Sequence, residues 1–231
     1  MSAAAEPAPR GSHEPPETCR LCPRLAGFID TWREKEPGWH NAPVRSFGPA
    51  GARLLIVGLA PGLRGANRTG RPFTGDYAGD LLYATLIKFG FAGGVYEARP
   101  DDSLTMRDAA ITNAVRCVPP DNKPTGEEIR TCRQFLIGTL DHYSRARSIL
   151  ALGRIAHESL LRTLEIRLKD APFSHGGVHD VGNGRRLYDS YHCSRYNTNT
   201  GRLTAEMFEA VFTRIRADLD KSLNPAAEPG G

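Results

Sequence analysis

Short, uninterrupted apolar runs alternate along the chain with stretches in which apolar residues recur every three or four positions. Residues 53–58 place Leu54, Leu55, Ile56 and Val57 ahead of Gly58, the pattern of a strand buried on both faces and closed by a glycine. Residues 109–113, 147–152 and 187–192 predict three further strands. Between them, Leu81, Leu82, Leu86 and Phe89 fall at helical spacing. Thr125, followed by Glu127 and Glu128, offers an N-cap and an acidic first turn for a helix running towards Tyr143. Helices are also predicted over 155–164 and 204–219. Strands alternating with helices predict an α/β protein: a three-layer α/β/α sandwich around a central four-stranded, mainly parallel sheet.

Composition bounds this picture. Pro, Ala and Glu dominate residues 1–17, which offer little to bury, and the last residues read the same way. One domain over 18–222 is expected, between disordered tails at 1–17 and 223–231. No apolar run approaches the roughly 20 residues needed to cross a bilayer. The N-terminus lacks the basic and then apolar pattern of a secretion signal, so the cytoplasm is the expected location, with no membrane partner. A net charge of +4 at pH 7 permits nucleic acid as a partner without demanding it.

Three of the four predicted strands end in unusual loops, at 59–76, 114–124 and 193–203. Ligands of parallel sheets bind where loops leave the carboxyl ends of the strands, so these loops are expected to meet at one cleft. The first is dense in glycine, which lets backbone approach a ligand closely. No Gly-Lys-Ser/Thr follows, which excludes a nucleotide P-loop. His192 beside Cys193 and Ser194 is no nucleophile–base pair, because neighbours on an extended chain point to opposite faces.

Cys19 and Cys22 form a CxxC, Cys117 and Cys132 lie far along the chain, and Cys193 stands apart. In a reducing compartment, grouped cysteines point to metal or catalysis more than to disulfides. A zinc ribbon would want a second CxxC, which is missing. Thiolates from one tight pair and two single positions suit a [4Fe–4S] cluster at least as well as zinc. Pro23 and Pro119 are expected to keep the ligand loops out of helix. The alternative is a redox-active CxxC with two buried core thiols.

The strings Leu59-Ala-Pro-Gly62, Asn67-Arg-Thr-Gly-Arg-Pro-Phe-Thr-Gly-Asp76, Val115-Arg-Cys-Val-Pro-Pro-Asp-Asn-Lys-Pro124 and His192-Cys-Ser-Arg195 complete the pattern. Together with the four cysteines they resemble the type-b branch, the fifth family, of the iron–sulfur uracil-DNA glycosylases. A monomer is expected, and the resemblance implies a structural [4Fe–4S] cluster on Cys19, Cys22, Cys117 and Cys132. It also implies excision of uracil, and of deaminated bases such as hypoxanthine or xanthine, from DNA in base excision repair. By resemblance, Phe73 is the ring on which uracil stacks, with Gly58, Ala60 and Gly62 lining the same pocket. Asp76 then assists water or the cationic sugar, Asn122 positions the water, and His192 donates to the base oxygen that gains charge.

Leu59 and Ala60 stand where better-known relatives carry an acidic or polar residue, which moves the carboxylate duty to Asp76. Asn113 offers a donor and an acceptor that match uracil O4 and N3–H, and is expected to favour uracil over hypoxanthine. Arg195, Tyr196 and Arg202 lie in a polar loop suited to the minor groove, and Arg64, Arg68 and Arg71 are expected phosphate contacts. Simpler roles stand beside these. Asp76 could cap a helix, Asn122 could be a turn asparagine, His192 a structural residue, and 196–202 a plain surface connection. The competing function is a protein that binds DNA or a uracil-like ligand on the same fold without cleaving it.

Overall fold

The computed structural model describes residues 12–221. In chain order it forms α1 (Pro23–Lys35), β1 (Leu54–Gly58), α2 (Ala66–Thr69), α3 (Tyr77–Lys88), β2 (Ala92–Gly93), β3 (Thr105–Met106) and β4 (Ala109–Asn113). A 3-10 turn (Pro120–Asn122) leads into α4 (Gly126–His142), β5 (Ser148–Leu152), α5 (Arg154–Thr163), β6 (Val178–Asp180), β7 (Arg186–Ser190), α6 (Arg195–Asn199) and α7 (Ala205–Lys221). No helix among the described residues is long and apolar enough to cross a membrane.

The main sheet has the order β4-β1-β5-β7-β6. Its first four strands are parallel, and β6 joins β7 antiparallel at the edge. The sheet therefore has five strands where the apolar runs predict four. Residues 178–180 carry no such run, because an edge strand three residues long leaves its side chains half in solvent. Side chains of the inner strands alternate between two cores. Leu54, Ile56, Ile111, Leu150 and Leu152 meet Leu82, Leu86, Phe208 and Phe212 on the side of α3 and α7. Leu55, Val57, Ile149 and Ala151 meet Leu136, Leu140, Ala156 and Leu160 on the side of α4 and α5. Both faces are covered, which is why these strands read as unbroken apolar runs.

The chain leaves β1 for β4 on one side and then crosses to β5 on the other. The carboxyl end of β1 is thus the point where the winding reverses, and open α/β sheets hold their ligands in the crevice there. A third apolar cluster joins Leu25 and Ile29 of α1 to Val115, Cys117, Cys132 and Phe135. Pro23 opens α1 at a position where its missing N–H is no loss, so Cys22 lies just outside the helix. Cys132, by contrast, lies within α4. That helix starts with a capping box in which Thr125 Oγ1 accepts from the Glu128 amide and Glu128 accepts from the Thr125 amide.

The expected N-terminal tail is corrected over residues 12–17. The His13 ring stacks on His142 with centroids 3.9 Å apart, and Glu14 pairs at 2.8 Å with the fully buried Arg116. A buried guanidinium needs a carboxylate, and the sequence gives no hint that its partner lies so far upstream. Residues 1–11 and 222–231, which hold the remainder of both expected tails, lie outside the described residues.

Candidate active site

The loops after β1, β4 and β7 meet at one cleft of about 450 Å³. Leu59, Ala60, Gly62, Phe73, Asp76, Asn113, Asn122, His192 and Arg195 line it, with Tyr77 and Ser194 added. Its size is in the range of small-ligand sites. The expected convergence of the three strand-end loops is therefore the geometry found.

Phe73 adopts φ +55°, a left-handed backbone that a bulky residue takes only when its surroundings impose it. Those surroundings are visible. Arg71 is buried and forms a bidentate pair with Asp102 at 2.8 Å per contact, and its Nε donates to Thr74 Oγ1 at 2.7 Å. Tyr83 donates its hydroxyl to the Pro72 carbonyl at 2.6 Å, and Tyr96 to the Phe73 carbonyl at 3.2 Å. The pinned loop turns the Phe73 ring towards His192, with centroids 5.9 Å apart and planes 29° apart.

Gly58 and Asn113 sit opposite each other in the β1–β4 register. A Cβ on Gly58 would fall 2.7 Å from Phe73 Cζ and would also overlap Asn113 Oδ1. Glycine here lets the ring and the amide close on the same space, so Gly58 shapes the pocket from behind. Asn113 is 3% exposed, and its Oδ1 has no hydrogen-bond partner among the described residues. A buried acceptor left unpaired costs free energy, and at the wall of a cleft it marks a place for a donor on a ligand.

Asp76 occupies the N-cap position of α3, but its side chain makes no capping bond to that helix. The alternative helix-cap role is thereby excluded for the carboxylate. It turns instead to the loop after β1, where the Ala66 amide donates to it and the charge of Arg68 lies close. Burial nevertheless raises its pKa above the ordinary carboxylate value. Gly62 and Gly65 leave the room it fills, since a Cβ on Gly62 would meet Asp76 Oδ2 at 2.6 Å.

His192 follows the end of β7, where Asn197 Nδ2 donates to its carbonyl at 2.8 Å. Desolvation in the cleft lowers its pKa to about 4, so the imidazole is neutral at pH 7. Asn122 reaches the rim from a turn in which both Asp121 and Asn122 have positive φ. Its backbone is thus that of a turn asparagine, and its position is that of a cleft residue.

The residues expected on DNA divide. Arg195 lines the cleft with its guanidinium 5.1 Å from the centre of the exposed Tyr77 ring. Tyr196 is 71% exposed outside the cleft lining, and Arg202 lies over the Tyr191 ring at 4.7 Å. The expected loop over 196–202 begins as the short helix α6, which Ser194 caps. Arg64 and Arg68 are exposed, and the charge of Arg68 lies near Asp76. Arg71 is corrected: paired with Asp102 inside the protein, it has no free face for a phosphate. Asp102 lies thirty-one residues on, beyond any local signal. Tyr77, which sequence reasoning passed over, follows Asp76 directly and so is placed by the same turn.

Cys19, Cys22, Cys117 and Cys132 line one small pocket with Leu25, Val115 and Phe135. None of the four is in a disulfide. Burial raises the pKa values of all four, and neighbouring cysteines add to it at Cys22, Cys117 and Cys132, with Cys22 pushed to about 12 and Cys132 to about 11. Such a set favours protons or a cationic group over bare thiolates. Four thiols gathered at one place form a donor set that fits a metal centre. Cys193 is separate and packs in the core beside Leu203 and Phe208.

A family model described as the Uracil DNA glycosylase superfamily matches residues 45–216. The chain is 47% identical over 208 residues to a Thermus thermophilus protein named Type-5 uracil-DNA glycosylase, covering 86% of this chain and 92% of the relative. A protein of the same name from Pyrobaculum aerophilum is 40% identical over 204 residues, covering 87% of this chain and 88% of the relative. A Type-4 uracil-DNA glycosylase of Archaeoglobus fulgidus is 32% identical over 139 residues, 60% of this chain and 62% of the relative.

Proposed function

Because the chain belongs to the uracil DNA glycosylase superfamily, we propose that its cleft excises uracil from DNA by hydrolysing the N-glycosidic bond. The observation that carries this reading is the meeting of Phe73, Asp76, Asn113 and His192 around one space large enough for a nucleobase. The break leaves negative charge on the departing base and positive charge on the sugar, so two opposite charges need stabilising at once. The nucleotide must first leave the helix, at a cost of a few kcal/mol of stacking and pairing.

In the cleft the base stacks on Phe73. Asn113 presents its amide to the Watson–Crick edge, where its unpaired Oδ1 accepts from N3–H. His192, being neutral, donates a hydrogen bond to the oxygen that gains charge, without first giving up a proton. Asp76, with the Ala66 amide and Arg68 beside it, stabilises the cationic sugar and orients water, helped by Asn122 in the same cleft. Ala60 and Gly62 line the cleft beside the base, Arg195 at the cleft contacts the DNA, and Arg68, Tyr196 and Arg202 serve as further DNA contacts. Other deaminated bases, hypoxanthine and xanthine among them, follow as slower substrates, with Asn113 setting the preference for uracil. Comparable release of uracil and hypoxanthine, unaltered in Asn113→Ala, would remove that role.

The four-thiol cavity supports a structural [4Fe–4S] cluster on Cys19, Cys22, Cys117 and Cys132. When bound, the cluster would cross-link the segment before α1 to α4 and the loop after β4. A brown protein whose visible absorption is lost in Cys117→Ala is the expected sign. The enzyme acts in the cytoplasm as a monomer, within base excision repair. Incubation with a duplex containing a single uracil tests the whole reading. Alkali-labile breaks at the uracil are expected, and binding without breaks would favour a non-cleaving ligand-binding protein.

A further inference from the structure

Outside the cleft, at β7 and the elements beside it, lies a second group of side chains with ligand chemistry. His157 on α5, His179 on β6 and Asp189 on β7 bring their ligand atoms within 4.8 Å of one another. We propose that these three residues bind a divalent transition-metal ion of the zinc class, which clips α5 and the sheet edge together.

The donor set is two imidazoles and one carboxylate, the types that hold zinc with one position left for water. Asp189 is fully buried and His157 is 1% exposed, so the site is built into the protein. The His179 side chain keeps 16% of its surface open, which gives an ion a way in. His157 Nε2 donates to the Ala171 carbonyl at 2.9 Å, fixing the ring so that Nδ1 faces Asp189. An outer hydrogen bond of this kind orients nearly every histidine that ligates a metal. The Phe173 ring packs edge-on against His157 at 5.5 Å.

The spacing is close to what an ion requires. Bonds of ~2.0–2.1 Å in a tetrahedron put neighbouring ligand atoms roughly 3.3 Å apart. His179 Nε2 and Asp189 Oδ2 are already 3.2 Å apart. His157 Nδ1 and Asp189 Oδ1 stand at 2.6 Å around a shared proton and must open slightly. On binding, that proton leaves for solvent, His179 moves its own proton from Nε2 to Nδ1, and three lone pairs face the ion.

The test uses protein with its four cysteines loaded, stripped of loose metal by a chelator and returned to zinc ions. Wild type is expected to take up one equivalent and to unfold at a higher temperature with zinc than without. Crystals measured at the zinc edge should show an anomalous peak between His157, His179 and Asp189. Loss of one ligand in His179→Gln should weaken uptake by about 100-fold or more and abolish the thermal shift. His179 is on the edge strand and partly open, so this variant retains the core. Equal uptake by wild type and His179→Gln, a peak only at the cysteines, or no uptake at all would each overturn the proposal.

Discussion

The carboxylate of Asp76 fills the space that a side chain on Gly62 would need: a Cβ there would lie 2.6 Å from Oδ2. Gly62 therefore acts on the chemistry through Asp76, by leaving its carboxylate where the Ala66 amide can hold it. In Gly62→Ala the carboxylate must move by several tenths of an ångström. A rate of uracil excision lowered about 10-fold or more, with the fold intact by circular dichroism, is the expected result. An unchanged rate would show that the position of this carboxylate does not limit the reaction.

Asp76→Asn separates catalysis from stability. Burial raises the native pKa of Asp76 above its unfolded value, so at neutral pH the ionised carboxylate opposes folding. The native state holds the extra proton, and stability from this residue falls as pH rises through the native pKa. Asn carries no such charge. The variant should lose excision by roughly 10²-fold yet melt no lower than wild type at pH 7, with any advantage shrinking in acid. Scanning calorimetry at several pH values reads both signs.

His192→Gln addresses the opposite case. The native imidazole titrates near 4 and the unfolded one near 6.5, so the unfolded chain binds the extra proton first on acidification. Its contribution to stability is complete above 6.5 and declines as pH falls towards 4. The glutamine variant should lose that part of the acid slope in denaturant titrations and excise uracil about 10²-fold more slowly at pH 7. An acid slope equal to that of wild type would place the histidine in water.

Asp102→Ala leaves the buried Arg71 guanidinium without its carboxylate. Breaking such a pair typically costs about 3–5 kcal/mol. Because Arg71 and Thr74 pin the turn that aims Phe73, excision should fall together with stability, which chemical denaturation and the uracil assay measure in parallel.

Much of this molecule could be read from its residues, for physical reasons. Strands β1, β4, β5 and β7 announced themselves because helices cover both their faces, and α4 because Thr125 and Glu128 cap it. Strand β6 did not, being three residues of Val, His and Asp at an edge. Helix α1 was missed because Pro23 reads as a breaker unless it stands first in a helix. At the cleft, the strand-end loops are legible because glycine, proline and asparagine interrupt the apolar pattern there, and Phe73, Asp76, Asn113 and His192 line the space where they meet. What stayed hidden were partnerships across the chain: Arg71 with Asp102, Arg116 with Glu14, and His157 with Asp189. Each is a buried charge or polar group whose counterpart lies more than thirty residues away, and no local pattern encodes it.

A crystal structure of the Asp76→Asn protein with a duplex bearing one uracil tests the central claim most directly. The uracil is expected outside the helix, flat against the Phe73 ring, with its edge at Asn113 and one oxygen facing the His192 imidazole. A uracil still paired in the duplex, or seated away from these three side chains, would contradict it.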